Sequence, residues 1–379
     1  MTYDNTDKHA LYTIWMKILI LSHAFYPQIG GIEINSEILG TEFLKISHEV
    51  HLVTWTAHKE NNQFPFTVIR NPGVRKLFNE HIWADVILEN NPCLRLSWPN
   101  LLFRKPSVVV LNTWISRVNG QLGLQEHLKL WWIKKAQRVI AVSEALRDSC
   151  FRNAAVVGNP YQEKNFRNFQ QSVRLKDFVF LGRLVSDKGV DLALKALQLL
   201  NSADERVGQT RAYSLTIIGD GPESSRLHVL AESLGILASV TFKGSLRGEE
   251  LTNCLNEHKY IVVPSTWKEP FGNVALEGLA CGCIPIVADG GGLIDAIGDT
   301  GLVFERGNAR ALFSAMKALV SNSELEKELK SKAEEHLKSH HPDVVAKRYL
   351  EILNEACHLE MNKIQRKSTA AAEILSPNL

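Results

Sequence analysis

The stretch Ser265–Gly292, STWKEPFGNVALEGLACGCIPIVADGGG, constrains the fold more than any other part of the chain. The apolar run Tyr260–Pro264 precedes it and reads as a buried strand. A polar turn (Lys268–Gly272) follows, then a helical run (Asn273–Ala280), a second buried strand (Ile284–Ala288) and a glycine-rich turn. Strand, turn, helix, strand and turn make a βαβ unit of the kind that binds nucleotides or phosphate at the helix start. Glu269 sits in the turn and Glu277 about one turn into the helix. A ligand held between them meets backbone N–H groups and two carboxylates at once. That suits a phosphorylated sugar, whose phosphate needs donors and whose hydroxyls need acceptors.

Such a unit needs a whole sheet around it, and the 379 residues are enough for two domains. Hydrophobic residues make up 45% and charged residues 22%, an ordinary globular balance, and a net charge of +2 argues against dedicated nucleic-acid binding. The six cysteines are scattered without a C-x-x-C pair, which fits a reduced, cytoplasmic setting. No apolar stretch reaches the length of a membrane span. The start, MTYDNTDKHALYTIWMK, carries acidic residues and lacks a basic segment leading into an apolar core, so no signal peptide is expected.

The first half opens with a strand at Lys17–Leu21, the loop Ser22–Gly31 and a helix from Ile32 to about Leu44. Gly30-Gly31 at the helix start could let backbone approach a phosphate or serve only as a tight turn, and the spacing does not fit G-x-G-x-x-G. Strands are predicted at His51–Thr54, Val68–Ile69, Val86–Leu88, Val108–Leu111 and Val139–Val142, with a helix over Leu122–Ala136 among the intervening runs. Alternating strands and helices predict a mainly parallel sheet covered on both faces, with ligands beyond the carboxyl ends of its strands. That rule singles out His23, Asn90-Asn91-Pro92 and Asn112-Thr113-Trp114, with Arg117 and Gly120 beyond. Trp131-Trp132 beside Lys134, Lys135 and Arg138 reads either as a membrane-surface patch or, the preferred reading, as a helix with tryptophans inside and cations in water. The first 170 residues carry 19 Lys and Arg against 14 Asp and Glu, the basic part of the chain.

The polar segment Pro160–Asp177 reads as a linker. Beyond it the pattern restarts: strand Phe178–Leu181, loop Gly182–Gly189, helix Val190 to about Leu200. Arg183 and Lys188 lie on this strand-to-helix loop, where cations and a helix N-terminus can share one anion. Further βα units follow at Ser214–Ile218 and Val240–Phe242, and the chain after Phe304 is mostly helical. His336 and His340 are four apart, but surrounding Glu and Lys suggest a solvated face, and no metal site is expected. The expected domains are 16–165, completed by a C-terminal helix over 343–360, and 176–342, with 1–15 and 362–379 as loose termini.

With these pieces assembled, the sequence resembles the retaining GT-B glycosyltransferases of family four, the glycosyl transferases of group 1. The resemblance rests on Gly182-Arg183-Leu184 with Asp187-Lys188-Gly189, on Glu269-Pro270-Phe271-Gly272 through Glu277-Gly278-Leu279-Ala280-Cys281-Gly282 to Ile284-Pro285-Ile286-Val287, on Asp289-Gly290-Gly291-Gly292 with Asp295, and on Gly30-Gly31-Ile32-Glu33. It implies two Rossmann-like, doubly wound parallel-sheet domains facing a central cleft. It implies a nucleotide-sugar donor, most simply UDP-linked, whose diphosphate Arg183 and Lys188 clamp. Gly30, Gly31 and the segment Phe271, Gly272, Asn273 and Val274 would touch phosphate or sugar. Glu277 would hold the ribose, Glu269 the hexose 3- and 4-hydroxyls, and the loop around Gly244 and Leu246 the base. The acceptor would be a glycan or a lipid-linked molecule, with peripheral membrane contact through the first domain.

No cofactor or metal is expected: the chain has no Asp-x-Asp, and fixed cations can stabilise the leaving diphosphate. No unassigned acid offers a nucleophile, so same-face attack is preferred to double displacement. The chain departs from the family where many relatives carry a histidine after the strand ending here at Leu111. Asn112 stands there, leaving Asn112, Thr113 or His23 to take its place. A binder of nucleotide sugars with weak or no transferase activity is the other reading.

Overall fold

Runs of Val, Ile and Leu make the interior strands, as parallel strands covered on both faces require. The computed structural model describes residues 15–28, 30–58, 64–116, 121–169, 174–206 and 212–375, with side chains of 204–206, 364 and 366–375 excepted. The chain divides into two units. The first takes in the chain up to Ala141, Cys150–Val157 and the chain from Ala346; the second comprises Val142–Ser149 and Gly158–Val345.

The sheet of the first unit has seven strands: β1 (Lys17–Leu21), β2 (Glu49–Thr54), β3 (Thr67–Arg70), β4 (Val86–Asn90), β5 (Ser107–Leu111), β6 (Arg138–Ala141) and β7 (Ala155–Val156). Their order is β3-β2-β1-β4-β5-β6-β7 and every pair is parallel. Strands β4 and β5 are buried along their whole length, including the polar Glu89 and Asn90. The second unit has β8 (Lys176–Leu181), β9 (Leu215–Ile218), β10 (Val240–Gly244), β11 (His258–Val263), β12 (Ile284–Ala288) and β13 (Leu302–Phe304), in the order β10-β9-β8-β11-β12-β13, again all parallel. Both sheets reverse direction once, between β1 and β4 and between β8 and β11. A doubly wound sheet opens its ligand crevice beyond the strand ends at that reversal.

Three readings of the sequence need correction. Pro160–Asp177 is not a free linker, because it packs on the second unit: Phe166 is in that core, and Asn256 accepts from Phe169 N and donates to Arg167 O. The chain therefore enters that unit at Gly158, ahead of the expected boundary. The tail from Asn362 is not loose throughout. The last helix runs Pro342–Leu375, and its alanine-rich end is good helix-forming sequence. Residues 1–14 and 376–379 lie outside the described residues, as do Arg117 and Gly120. Finally, the two tryptophans separate: Trp132 is buried and Trp131 exposed.

Candidate active site

In the second unit the loops after β8 and β11 are locked together by backbone. Gly189 adopts φ 67°, and a Cβ there would stand 2.0 Å from the Pro264 carbonyl oxygen, so no other residue fits. The Asp187 carbonyl accepts from Thr266 N (2.9 Å) and Trp267 N (3.3 Å). This contact carries Lys188 Nζ to 2.6 Å from Glu269 Oε1, and Ser265 Oγ donates to the same oxygen at 2.8 Å. Both members of the ion pair are partly buried, so solvent screens it less than an open surface pair.

The turn carrying Glu269 is fixed from two further sides. Gly292 N donates to the Glu269 carbonyl (2.8 Å), and a Cβ on Gly291 would lie 2.4 Å from that oxygen. Ser143 Oγ donates to the Pro270 carbonyl at 2.7 Å. The helix Asn273–Ala280 then starts from Gly272 with no side-chain cap. The N–H groups of Asn273 and Val274 have no partner among the described residues and carry the positive end of the helix dipole. The Asn273 side chain is committed, its Oδ1 accepting from Asn159 Nδ2 at 3.0 Å. The Glu277 carboxyl has no hydrogen-bond partner among the described residues, and removal from water pushes its pKa up to about 7.

Arg183 is exposed on the loop after β8, which is clipped to its neighbours: Leu184 N donates to Asp220 O (2.9 Å) and Gly219 N to Gly244 O (2.7 Å). Gly244 ends β10 one residue beyond a bulge at Lys243, and Leu246 packs partly buried against the core. Arg183, Lys188, Glu269, Gly272, Asn273, Val274 and Glu277 thus belong to loops and a helix start at one sheet reversal. Gly244 and Leu246 follow two strands along. Phe271 stands at the start of this stretch with its side chain turned to the core. Its ring is buried against His340, centroids 5.5 Å apart, leaving only its backbone to offer a ligand.

The first unit's reversal is built differently. Asn112 Nδ2 donates to Asn90 Oδ1 (2.7 Å), and Asn90 Nδ2 donates to Ser36 Oγ (2.6 Å) and to Ile32 O (2.9 Å). Ser36 Oγ reaches Ser22 Oγ at 3.0 Å. The network pins the start of the helix Gly31–Lys45 to the sheet. His23 is exposed after β1, with Nδ1 3.8 Å from Cys93 Sγ. Gly30 is extended, and the Glu33 carboxylate folds back over it, 2.6 Å from where a Cβ would be. An anion approaching Gly30 and Gly31 has to displace that carboxylate. Below the network, Glu89 accepts from Trp132 Nε1 at 2.8 and 3.1 Å, and burial raises its pKa to about 7. The His336 and His340 rings each meet a backbone carbonyl, of Ala296 and of Asn159.

Two contributors, Ser265 and Ser143, were given no role by the sequence reading, and Asp187 entered it only as part of a motif. Ser265 reads as an ordinary polar residue after a strand, yet it shares the Glu269 oxygen. Ser143 reads as a helix N-cap, which it is, since Leu146 N donates to its Oγ (3.2 Å), and nothing local shows that it also holds Pro270. Asp187 acts through its carbonyl, which carries no side-chain signature.

A family model described as "Glycosyl transferases group 1" matches residues 162–336. Two glycosyltransferases of Methanocaldococcus jannaschii, both described as uncharacterized, are similar over most of the chain. One is 26% identical, covering 86% of this chain and 94% of its own length. The other is 31% identical, covering 74% and 83%. Among solved structures, Anabaena HepE in complex with UDP and glucose superposes with a TM-score of 0.72 at 18% identity, covering 89% of this chain and 99% of that one.

Proposed function

The chain belongs to the glycosyl transferases of group 1 and has their GT-B fold, and from that premise we propose that it is a retaining hexosyltransferase using a nucleotide sugar. The donor is UDP-glucose or a close relative, and the acceptor a glycan or a lipid-linked molecule. The observation that carries the reading is the 2.6 Å Lys188–Glu269 pair beside the uncapped start of the helix Asn273–Ala280. A cation and N–H donors suit a diphosphate, and the adjoining carboxylate suits hydroxyls of the sugar attached to it. Arg183 adds a second positive charge. Glu277, farther along the helix, accepts from the ribose hydroxyls. The HepE complex supports this choice of donor class, since that protein holds UDP and glucose in its crystal structure.

In the proposed reaction the bond from the sugar's anomeric carbon to the β-phosphate oxygen breaks, and the electron pair leaves with UDP. The acceptor oxygen forms its bond to the same face of that carbon, and its proton passes to the departing phosphate. Arg183, Lys188 and the helix start stabilise the charge that develops on the diphosphate, so the step draws on positive charge already fixed in the protein. Glu269 orients the hexose. A resident cofactor or metal has no part in this proposal.

Thermal-shift measurements with UDP, GDP, ADP and their sugars test the donor site. Stabilisation by the uridine compounds is expected, and no shift with any nucleotide overturns the assignment. A non-catalytic binder is the second reading, favoured by the Asn112 amide standing bonded to Asn90 where the family resemblance implies a histidine. Free hexose released from UDP-sugar without acceptor identifies an enzyme; binding without release identifies a binder.

A further inference from the structure

We propose that the pocket between the loops after β1 and β2 seats one neutral sugar ring, and that this ring is the end of the acceptor that receives the hexose. The role as acceptor rests on the transferase reading above; the sugar site rests on the pocket alone. The pocket measures about 260 Å³ and is lined by His23, Gln28, Trp55 and Thr56, with small apolar residues between them. Sites for drug-sized ligands occupy about 300–1,000 Å³, so this one holds a single ring and leaves the rest of a chain outside.

The two walls are tied to each other. Arg70 Nη1 donates to Tyr26 O (2.7 Å) and to Thr56 O (3.1 Å), one carbonyl from each loop. Phe25 N donates to Thr56 Oγ1 at 3.0 Å. Trp55 N and Thr54 Oγ1 both donate to His23 O, at 3.3 and 3.2 Å. Trp55 itself is half-buried, packed on the core of the first unit, with the Arg95 guanidinium 5.2 Å from its ring centre. A ligand therefore meets walls that folding has already ordered, which lowers the entropy cost of binding.

The lining chemistry selects the ligand. Among the described residues no Lys, Arg, Asp or Glu lines the pocket. A phosphate needs fixed cations or an open helix start. The helix start that follows this loop is the one at Gly31, and the Glu33 carboxylate lies over it. What the pocket offers instead is an indole, an imidazole and a carboxamide. The C–H face of a pyranose packs on the electron-rich face of an indole. Its hydroxyls both donate and accept, and so does the exposed Gln28 carboxamide, which has no partner among the described residues. His23 is also exposed, and its Nδ1 meets only Cys93 Sγ at 3.8 Å, leaving Nε2 for a hydroxyl. Shape and charge thus favour the neutral end of a glycan over a phosphorylated acceptor.

Saturation-transfer NMR without nucleotide tests the site, using the methyl α-glycosides of glucose, galactose and mannose, with myo-inositol 1-phosphate as the charged probe. At least one glycoside is expected to bind and the inositol phosphate to stay free. Trp55→Ala should weaken glycoside binding about tenfold or more. Glu269→Ala should leave it unchanged, which separates this pocket from the hexose position of the donor site. Thermal unfolding reports whether each variant is folded. Binding of none of the three glycosides overturns the proposal, as does a folded Trp55→Ala that binds like wild type. So does inositol phosphate that binds in a Trp55-dependent way. In transfer assays the glycoside that binds should accept hexose, with its KM raised by Trp55→Ala; a bound glycoside that never accepts overturns the acceptor role. Failure of UDP to stabilise the protein while a glycoside still binds counts against the donor site alone.

Discussion

The two sheet reversals occupy equivalent places in equivalent sheets, and their chemistry is opposite. In the second unit the crevice residues are charged and, among the described residues, only partly engaged: a Lys–Glu pair, an exposed Arg, a carboxyl with no bond and helix N–H groups left over. In the first unit the same place holds neutral amides and hydroxyls bonded to one another, Asn112 to Asn90 to Ser36 to Ser22. Parallel doubly wound sheets supply the position twice. Whether a position can receive a charged ligand depends on how much of its polar capacity the protein has already used.

The largest effects should come from the charged reversal. Glu269→Ala or Lys188→Ala is expected to lower kcat about 100- to 1000-fold, the size of losing one fixed transition-state contact. Steady-state transfer assays measure this, and near-normal turnover in both variants would dismantle the contrast. At the neutral reversal, Asn112→Ala should cost about 1–3 kcal/mol of stability by leaving Asn90 Oδ1 without its donor, while kcat falls less than about tenfold. Loss of transfer comparable to that of Lys188→Ala would show the amide network to be catalytic.

Glu89 sharpens the comparison through pH. Burial raises its folded pKa to about 7 from the ordinary carboxylate value of 4.5, so the folded protein holds a proton that the unfolded chain has lost between those values. Stability from this group therefore falls as pH rises from about 4.5 to about 7 and is level above that. The cost at alkaline pH is on the order of 3 kcal/mol. Glu89→Gln should raise Tm relative to wild type at about pH 8 and hardly at all near pH 4.5; a gain independent of pH contradicts the assignment. A smaller effect belongs to Glu277, whose pKa also lies at about 7. If the carboxylate accepts from the ribose, UDP affinity should drop severalfold between about pH 8 and pH 6 in wild type and stay flatter in Glu277→Gln. Parallel curves from calorimetric titration would remove Glu277 from the ribose.

The second reversal was legible because its parts are local. The segment from Glu269 to Glu277 and the loop Arg183–Gly189 each place their own residues by turn and helix geometry, and Gly189 marks the close approach of loop and strand end. Residues that act over long sequence distances left no such trace. Ser143 meets Pro270 across 127 positions. Trp132 meets Glu89 across 43, and no period along either helix or strand shows that an indole would find a carboxylate. The contact of the Phe271 ring with His340 is of the same kind, since that partner lies far along the chain. The tail after Asn362 misled by composition, since polarity and alanine content suit a loose end and a solvated helix equally.

The bond from Ser143 to Pro270 bears on how this protein can be cut and recombined. Residues 162–336 match the family as one block, but the strut beneath the Glu269 turn comes from Val142–Ser149, which lies outside it. A chimera spliced at the family's edges would import the loops carrying Lys188 and Glu269 and leave their support behind. The transplantable module is discontinuous, and exchanging the second unit's loops between relatives means carrying that short segment along with the block.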